Sequence, residues 1–353
     1  MTANRVEQSD APRVCIVLLT GLGDVVHGLP VANALKRAGL ASHLTWVTEP
    51  APSHILRHHR AVDDVVVYRR RQGVRGVLQL ARDMAPRRFD LTLNLHIYFK
   101  GIWPTVFSRA PRRIGFDRAR SYDGVWLFVN EHLPARPRAH TQDQFLEFLE
   151  LLQVPSRPVE WNIEFTAAEK AEQAEFMRGL RDRPVVAVVP ASANSRKDWL
   201  ADRYARLIDA LAADFGARAV LVGGPSARER HMVDAILTQT RAQPIDALDQ
   251  DVRRMMWLLD GSDLVIAPDT GPLHIARACN VPVIGLYGHT NPWRVGPYQK
   301  YTDLWVDQYT DPGTAPDPSN RTPKWGRMES ITVEMVLEKV DVALRRYRPE
   351  QVG

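Results

Sequence analysis

Short apolar segments of strand length alternate with helical stretches along almost the whole chain, and this alternation limits the possible folds more than any other feature. Strands are predicted, for example, at residues 13–20, 91–95, 185–189 and 264–267. A regular succession of strand and helix favours parallel sheets that are covered by helices on both faces. The sequence therefore predicts an α/β protein with doubly wound parallel sheets.

The pattern stops once and then starts again, which indicates two domains. At 353 residues the chain exceeds the size of one ordinary core. Residues 154–158 contain proline and break the pattern, as a linker does. We predict a Rossmann-like N-terminal domain at residues 1–157, a Rossmann-like C-terminal domain at 158–330 and a closing helix in 331–353. If two such domains faced each other across a cleft, their strand-end loops would meet a shared ligand.

Composition indicates a soluble protein of a reducing compartment. Hydrophobic residues make up 45% of the chain and charged residues 25%, as in ordinary globular proteins. The longest apolar runs are far shorter than a membrane span, and residues 1–13 are too polar for a secretory signal. The two cysteines, Cys15 and Cys279, lie in apolar segments and argue against a disulfide framework or a zinc site. We expect a cytoplasmic protein.

Positive charge is concentrated in the first half of the chain. Residues 1–160 contain 22 Lys and Arg against 15 Asp and Glu, whereas the remainder contains 24 against 26. A basic surface of this kind could attract an anionic membrane leaflet, a phosphorylated acceptor or nucleic acid, or it could simply be solvated. No nucleic-acid partner is predicted, because the Arg clusters are not interleaved with stacking aromatics and no known binding motif is present.

The segment from Val265 to Ala276 predicts an anion site. An apolar strand ends abruptly at Asp269-Thr270-Gly271, and a helix begins at once with Pro272 in its first turn. Such a junction directs free backbone N–H groups and the positive end of a helix dipole at a ligand above the strand end, for which a phosphate or pyrophosphate is suited. Asp269 should face the same ligand, and His274 lies one turn further along. The alternative is a simple turn with a helix N-cap.

A second glycine-containing loop follows the first strand, at residues 21–24. Gly21 and Gly23 permit a tight turn and close approach of a ligand. The third glycine, Gly28, comes too late for the dinucleotide fingerprint G-x-G-x-x-G, so a nicotinamide-dependent oxidoreductase is not favoured. Asp24 has two interpretations: it caps the next helix, or it projects toward the ligand as a general base for an acceptor hydroxyl.

A third polar loop, at residues 190–199, follows the first strand of the second half. Ser192 could bond a phosphate oxygen, and Lys197 could neutralise its charge, unless Lys197 is a solvated surface lysine. Further along, Gly223-Gly224-Pro225 ends a strand and leaves space for a nucleoside. Glu229, in the next helix, could accept a ribose hydroxyl, unless it is an ordinary exposed helix residue.

Taken together, these segments resemble glycosyltransferase family 9, the ADP-heptose:lipopolysaccharide heptosyltransferase family. The resemblance extends over nearly the whole chain. It rests on Gly23-Asp24 with His27 and Pro30, Asn94-Leu95 before Lys100, Gly115-Phe116-Asp117, Lys197-Asp198-Trp199, Gly223-Gly224-Pro225, Asp269-Thr270-Gly271 with His274, and Tyr287-Gly288 before Asn291-Pro292.

The resemblance implies a GT-B fold and an inverting transfer of heptose without a metal or cofactor. The donor, ADP-L-glycero-β-D-manno-heptose, would bind mainly to the C-terminal domain. The acceptor, Kdo or heptose of the lipid A core oligosaccharide, would dock on the N-terminal domain at the cytoplasmic face of the inner membrane. The donor-binding candidates are Ser192, Lys197, Glu229, Asp269, Thr270, Gly271 and His274. Asp24 would be the general base, and the acceptor-side candidates are Gly23, Arg112, Arg113 and Arg120.

Two departures from the family pattern leave alternatives open, and the first of them lies on the acceptor side. Tyr122-Asp123 stands where many relatives have an Arg-Glu pair, and Arg327-Met328 stands where a Cys-Met pair is common. A transferase with another nucleotide sugar or acceptor therefore stays possible, as does a non-catalytic nucleotide-sugar binding protein in which Asp24 only caps a helix. The residues do not indicate an oligomeric state.

Overall fold

The computed structural model describes residues 11–347 of the chain, which form two units. The N-terminal unit comprises residues 11–137 and 143–162, and the C-terminal unit comprises 138–142 and 163–347. Each unit contains a six-stranded sheet in which all strand pairs are parallel. The predicted pair of parallel-sheet α/β domains is confirmed.

The N-terminal sheet consists of β1 (Arg13–Val17), β2 (His43–Thr48), β3 (Asp64–Val67), β4 (Leu91–Asn94), β5 (Arg112–Gly115) and β6 (Glu131–His132). The helices of this half are α1 (Leu22–Arg37), α2 (Pro50–Leu56), α3 (Val74–Met84), α4 (Ile102–Ser108) and α5 (Thr141–Leu151). The strand order is β3-β2-β1-β4-β5-β6. This is the strand order of a dinucleotide-binding sheet, in which successive strands are added on one side of β1 up to β3 and on its other side from β4 onward.

The C-terminal sheet consists of β7 (Val185–Val188), β8 (Arg218–Leu221), β9 (Ile245–Asp246), β10 (Leu264–Pro268), β11 (Val283–Tyr287) and β12 (Val306–Asp307). Its helices are α6 (Ala167–Arg178), α7 (Ala201–Asp214), α8 (Ala227–Leu237), α9 (Val252–Asp260), α10 (Gly271–Ala278), α11 (Pro292–Val295) and α12 (Val333–Arg346). The order β12-β11-β10-β7-β8-β9 is the same arrangement, with the reversal between β7 and β10.

The central strands are apolar because helices cover both faces of each sheet. Val14, Cys15, Ile16 and Val17 of β1 are fully buried, as is typical of a strand in the middle of a parallel sheet. Helix α1 comes very close to this sheet at Gly28, where an added Cβ atom would lie 2.7 Å from the ring of Trp46. Gly28 is thus explained by helix–sheet packing, and it has no need to be part of a phosphate loop.

Most of the loop predicted at residues 21–24 is helical instead. Helix α1 begins at Leu22 with Gly21 as its N-cap residue, so Gly23 and Asp24 lie in the first helical turn. The interpretation of Asp24 as the N-cap residue was wrong, because Asp24 is the third residue of the helix. A carboxylate in the first turn is still favoured by the helix dipole.

The sequence did not predict several of the helices and strands, and each of these lacks a strong apolar pattern. Helix α6 has a largely polar sequence, although Thr166 and Glu169 form a capping box that marks its start. Helix α4 contains Pro104, and β5 starts with two arginines. None of the helices within residues 11–347 is long and apolar enough to cross a bilayer.

A buried ion cluster joins the end of β5 to α5. The Arg120 side chain is 2% exposed and pairs with Asp117 and with Glu147, whose Oε1 lies 2.7 Å from Nη1. Its Nη2 donates to the carbonyl of Pro134 at 3.0 Å. These contacts compensate the charge of an arginine that is removed from water.

We predict that Arg120→Met destabilises the protein strongly. The substitution leaves two buried carboxylates without their cation, which costs about 3–5 kcal/mol of unfolding free energy. Arg136→Gln is the matched control, because Arg136 pairs with Glu150 of the same helix at the surface and such a pair contributes about 0–1 kcal/mol. Urea unfolding followed by tryptophan fluorescence would measure both, and equal effects would contradict the prediction.

Candidate functional site

The candidate residues collect at the point where each sheet reverses its strand order. In the N-terminal unit, residues 18–24 follow β1 and residues 95–101 follow its neighbour β4. In the C-terminal unit, residues 189–198 follow β7 and residues 269–271 follow its neighbour β10. Ligands of open parallel sheets bind beyond the carboxyl ends of the strands at this reversal. The two clusters are described separately below.

The junction between β10 and α10 offers free backbone donors. Thr270 is the N-cap residue, has extended backbone angles, and makes no side-chain capping bond. Within residues 11–347 the N–H groups of Thr270 and Gly271 meet no acceptor, and Pro272 has no N–H to offer. Unused donors at a helix N-terminus form a suitable site for an anion.

Asp269 is a buried carboxylate that Lys197 and His274 hold ionised. Its Oδ2 lies 2.7 Å from Lys197 Nζ, and its Oδ1 lies 3.5 Å from His274 Nε2. Burial alone would raise the pKa of Asp269, but the charge of Lys197 and the hydrogen bond of His274 outweigh it and hold the pKa well below its usual range. The three predicted residues are therefore brought together at one strand end.

Lys197 is fixed, and is not a solvated surface lysine. Besides the carboxylate, its ammonium contacts the backbone carbonyl of Asp269 at 3.3 Å, and the side chain is largely buried. An ammonium has three N–H donors, so one remains for an anionic ligand after these two contacts. The loop after β7 thus presents a positive charge beside the free N–H groups of the β10–α10 junction.

The loop that carries Lys197 is organised by Asp198 and Ser192. The Asp198 carboxylate accepts the Ser192 N–H at 2.7 Å and pairs with Arg228. The Ser192 hydroxyl donates to the Asn194 carbonyl at 2.7 Å and accepts the Asn194 N–H at 3.2 Å. Its one proton is already used, so a phosphate oxygen would have to replace the Asn194 carbonyl. Ser192 as a phosphate ligand stays a prediction.

Glu229 likewise has a partner within its own loop. It accepts the Gly224 N–H at 2.9 Å and the Ser226 hydroxyl at 2.5 Å, and Ser226 caps the same helix. The residue is thus more than an exposed helix glutamate, because it shapes the turn after β8. Its predicted contact with a ribose hydroxyl is not tested by these bonds.

In the N-terminal unit, Asp24 lies near a cluster of charged side chains that the sequence analysis did not assign. Asp24 is half-buried, and its carboxylate makes no hydrogen bond within the described part of the chain. Lys100, close enough for its charge to interact with Asp24, donates to the Leu19 carbonyl at 3.1 Å. Its Nζ is 3.9 Å from Glu49, which in turn accepts from Arg70 at 3.2 Å.

His96 completes this cluster as a neutral, buried imidazole. Burial, with smaller effects of Lys100 and Arg70, lowers the pKa of His96 to about 3. Its Nε2 finds no hydrogen-bond partner within residues 11–347. The sequence signal for the cluster exists in retrospect, because its members each lie shortly after a strand: Asp24 after β1, Glu49 after β2, Arg70 after β3, His96 and Lys100 after β4.

Three predicted acceptor residues are not brought together with Asp24. Arg112 and Arg113 start β5 and pair in register with Leu91 and Thr92 at the start of β4. They therefore lie at the amino-end edge of the sheet, opposite to the carboxyl ends that position Asp24. Arg112 forms a bidentate salt bridge with Glu131, and Arg120 is enclosed in the buried cluster described above. Only Gly23 lies beside Asp24, in the same turn of α1.

No set of three or more His, Cys, Asp or Glu side chains within residues 11–347 is arranged to hold a metal ion. The acidic residues of both strand-end clusters are instead paired with cations or stand singly.

The sequence is similar to that of known heptosyltransferases. The family model of glycosyltransferase family 9 (heptosyltransferase) matches residues 77–314. The chain is 29% identical over 298 residues to the lipopolysaccharide core heptosyltransferase OpsX of Haemophilus influenzae, covering 84% of this chain and 85% of that protein.

Solved structures show the same fold. The glycosyl transferase family 9 protein of Veillonella parvula matches with a TM-score of 0.80 at 23% identity, over 98% of this chain and 99% of that chain. Escherichia coli heptosyltransferase WaaC with ADP-2-deoxy-2-fluoro heptose matches with a TM-score of 0.66 at 20% identity, over 94% and 99%. The GT-B fold class is thereby confirmed.

We predict that Lys197→Met destabilises the protein more at neutral than at acidic pH. In the wild type the folded-state pKa of Asp269 is depressed, so its contribution to stability is present above the unfolded-state pKa and is lost as pH falls through the folded-state value. Without Lys197, burial raises this pKa, and Asp269 takes up a proton at a higher pH. His274 faces the carboxylate in both proteins.

Urea unfolding should show a loss of roughly 2–3 kcal/mol near neutral pH and a smaller loss at about pH 4.5. Lys170→Met is the control, since Lys170 pairs with Asp260 at the surface. A loss that is equal at both pH values, or equal in the control, would contradict the assignment of Lys197 as the counter-ion of a buried carboxylate.

Proposed function

Because the chain belongs to glycosyltransferase family 9, the heptosyltransferase family, we propose that it transfers heptose from ADP-L-glycero-β-D-manno-heptose to a Kdo or heptose hydroxyl of the lipopolysaccharide core. Two named relatives support this choice of substrates. OpsX of Haemophilus influenzae is a lipopolysaccharide core heptosyltransferase, and WaaC of Escherichia coli has been solved with ADP-2-deoxy-2-fluoro heptose. The acceptor is lipid-linked, which would bring the enzyme to the cytoplasmic face of the inner membrane.

The observation that carries the proposal is the anion site at the β10–α10 junction. Among the described residues the N–H groups of Thr270 and Gly271 meet no acceptor, and the Lys197 ammonium is held beside them by Asp269. We assign the diphosphate of the donor to this site. Negative charge grows on the diphosphate as the bond to the sugar breaks, and donors fixed in advance stabilise such charge without reorganisation. Asp269 and His274 would contact the heptose or the adjacent phosphate.

The acceptor is activated, in this proposal, by Asp24. Its carboxylate takes the proton of the acceptor hydroxyl, the oxygen attacks the anomeric carbon, and the bond from that carbon to the diphosphate breaks, so that ADP leaves with inversion. Support comes from the half-buried carboxylate, which makes no hydrogen bond with any residue between 11 and 347, and from the nearby charge of Lys100. A base must be free to accept a proton.

We predict that Asp24→Asn lowers kcat by roughly 10²–10⁴-fold, the contribution of general base catalysis. The affinity for ADP-heptose should stay within about twofold, since the substitution affects only the transition state. Release of ADP would report kcat, and calorimetric titration of donor would report affinity. Asp202→Asn is the matched control, because Asp202 is also an acid in a first helical turn. A kcat close to that of the wild type would exclude Asp24 as the base and favour a binding protein or a different base.

We predict that Lys197→Ala weakens donor binding by at least about tenfold and also lowers kcat. Its contact with the diphosphate would exist before and during the reaction, and a charge-assisted hydrogen bond contributes about 1.5–3 kcal/mol. Calorimetry with ADP-heptose and with ADP would measure the first effect, with Lys170→Ala as control. Unchanged donor affinity together with unchanged kcat, in a variant whose circular dichroism is native, would remove Lys197 from the site.

A further inference from the structure

Exposed apolar side chains are concentrated on one part of the N-terminal unit. Of the eleven large hydrophobic residues that are exposed in the described structure, nine lie between residues 74 and 128. The most informative are Val74 and Leu78 on α3, Phe99 before α4, Trp103 on α4, and the neighbours Leu127 and Phe128. We call these six side chains the aromatic face. Monomeric proteins rarely expose apolar residues so close together without a partner.

The elements that carry the aromatic face pack side by side. Helices α3 and α4 are in contact, and α4 also contacts the turn at residues 125–128. Val77 of α3 and Phe107 of α4 pack on the same buried core cluster, and the Phe107 ring stacks on Trp103 at 5.7 Å. On α3, Val74 and Leu78 are one turn apart and therefore share a side of the helix. The face is thus a continuous part of the unit.

Positive charge accompanies the apolar side chains. Between residues 69 and 128, Arg70, Arg87, Arg112 and Arg120 pair with acids. Seven further arginines are exposed and form no ion pair within the described residues: Arg69, Arg71, Arg75, Arg82, Arg88, Arg109 and Arg118. Arg71 and Arg75 are exposed at the start of α3, next to Val74, and Arg118 lies over the ring of Trp126 at 5.0 Å. Exposed arginines without an acidic partner thus lie directly beside the apolar side chains of the face.

We propose that the aromatic face docks on the surface of an anionic phospholipid bilayer. Aromatic side chains prefer the interface between water and hydrocarbon, and neighbouring Arg side chains are attracted to acidic headgroups. A second copy of the chain fits less well, because a face that pairs with itself would bring two strongly basic patches together. The charge of the face therefore selects the bilayer.

The aromatic face lies close to the proposed base, Asp24. This link between the face and the reaction is the one point that rests on the proposed function. Phe99 is next to Lys100, whose ammonium bonds the Leu19 carbonyl at the end of β1, and Asp24 follows in the first turn of α1. One border of the aromatic face thus reaches the strand-end edge of the N-terminal sheet. Docking there would bring a lipid-linked acceptor to the side of the unit that carries Asp24.

Vesicle co-sedimentation of the full chain tests the proposal. The wild type should bind phosphatidylglycerol-containing vesicles at least about tenfold more strongly than pure phosphatidylcholine vesicles, and high salt should weaken this binding. Trp103→Ser and Trp293→Ser form a matched pair, because both tryptophans are 37% exposed and only Trp103 lies on the aromatic face. Trp103→Ser should reduce binding several-fold, whereas Trp293→Ser should leave it unchanged. Arg71→Gln/Arg75→Gln should reduce it about tenfold or more.

Three results would overturn the proposal: no preference for anionic vesicles, equal losses in the two tryptophan variants, or a wild type that self-associates through Trp103 without binding vesicles. Light scattering of wild type and Trp103→Ser detects the last case. Vesicle binding needs no sugar donor, so the outcome is independent of heptosyl transfer. Transfer to a soluble acceptor without vesicle binding would refute only the docking surface, and vesicle binding without transfer would refute only the proposed function.

Discussion

The arrangement of the C-terminal cluster depends on one buried charge, the carboxylate of Asp269. A buried carboxylate without partners would be strongly destabilising, and here Lys197 and His274 compensate it. Because Lys197 comes from the loop after β7 and Asp269 from the end of β10, the ion pair also joins the two strand ends where the sheet reverses its order. The position of the Lys197 ammonium is therefore fixed before any ligand arrives, which is what stabilisation of developing charge requires.

The two units share a strand order and differ in the chemistry of their strand ends. In the C-terminal unit Lys197 and His274 compensate the acid. The N–H groups of Thr270 and Gly271, which meet no acceptor in the described residues, and one donor of the Lys197 ammonium remain for an anion. In the N-terminal unit the reversal holds Asp24, which has no hydrogen bond in the described structure, beside a lysine anchored to a backbone carbonyl. A free carboxylate is suited to accept a proton. In the proposed transfer, one topology would therefore supply both the base and the anion site.

The sequence predicted best those features that are local in the chain. Asp269, Thr270 and Gly271 are adjacent at a strand-to-helix junction, so their apolar and helical neighbours were sufficient to place them. Lys197 was predicted as a candidate, but its ion pair with Asp269 joins residues far apart in sequence and became visible only in the structure. The cluster of Glu49, Arg70, His96 and Lys100 was missed for the same reason, because it combines the ends of three strands.

The arginine assignments show what sequence patterns lack. Since β5 was not predicted, nothing indicated that Arg112 and Arg113 stand at the amino-end edge of the sheet. Arg120 was assigned from its charge, yet its partner Glu147 comes from a helix that follows much later in the chain. The direction of a strand and the distant partners of a charge both decide whether an arginine can meet a ligand, and neither is a local property.

The most direct test of the account is mass spectrometry of lipid A acceptors after incubation with ADP-heptose and the purified protein. A core heptosyltransferase should add the mass of a single heptose to a Kdo-terminated or a heptose-terminated acceptor, and should add nothing when ADP-heptose is omitted. If neither acceptor gains a heptose, although the protein is folded and ADP-heptose binds saturably, the assignment as a lipopolysaccharide core heptosyltransferase is contradicted.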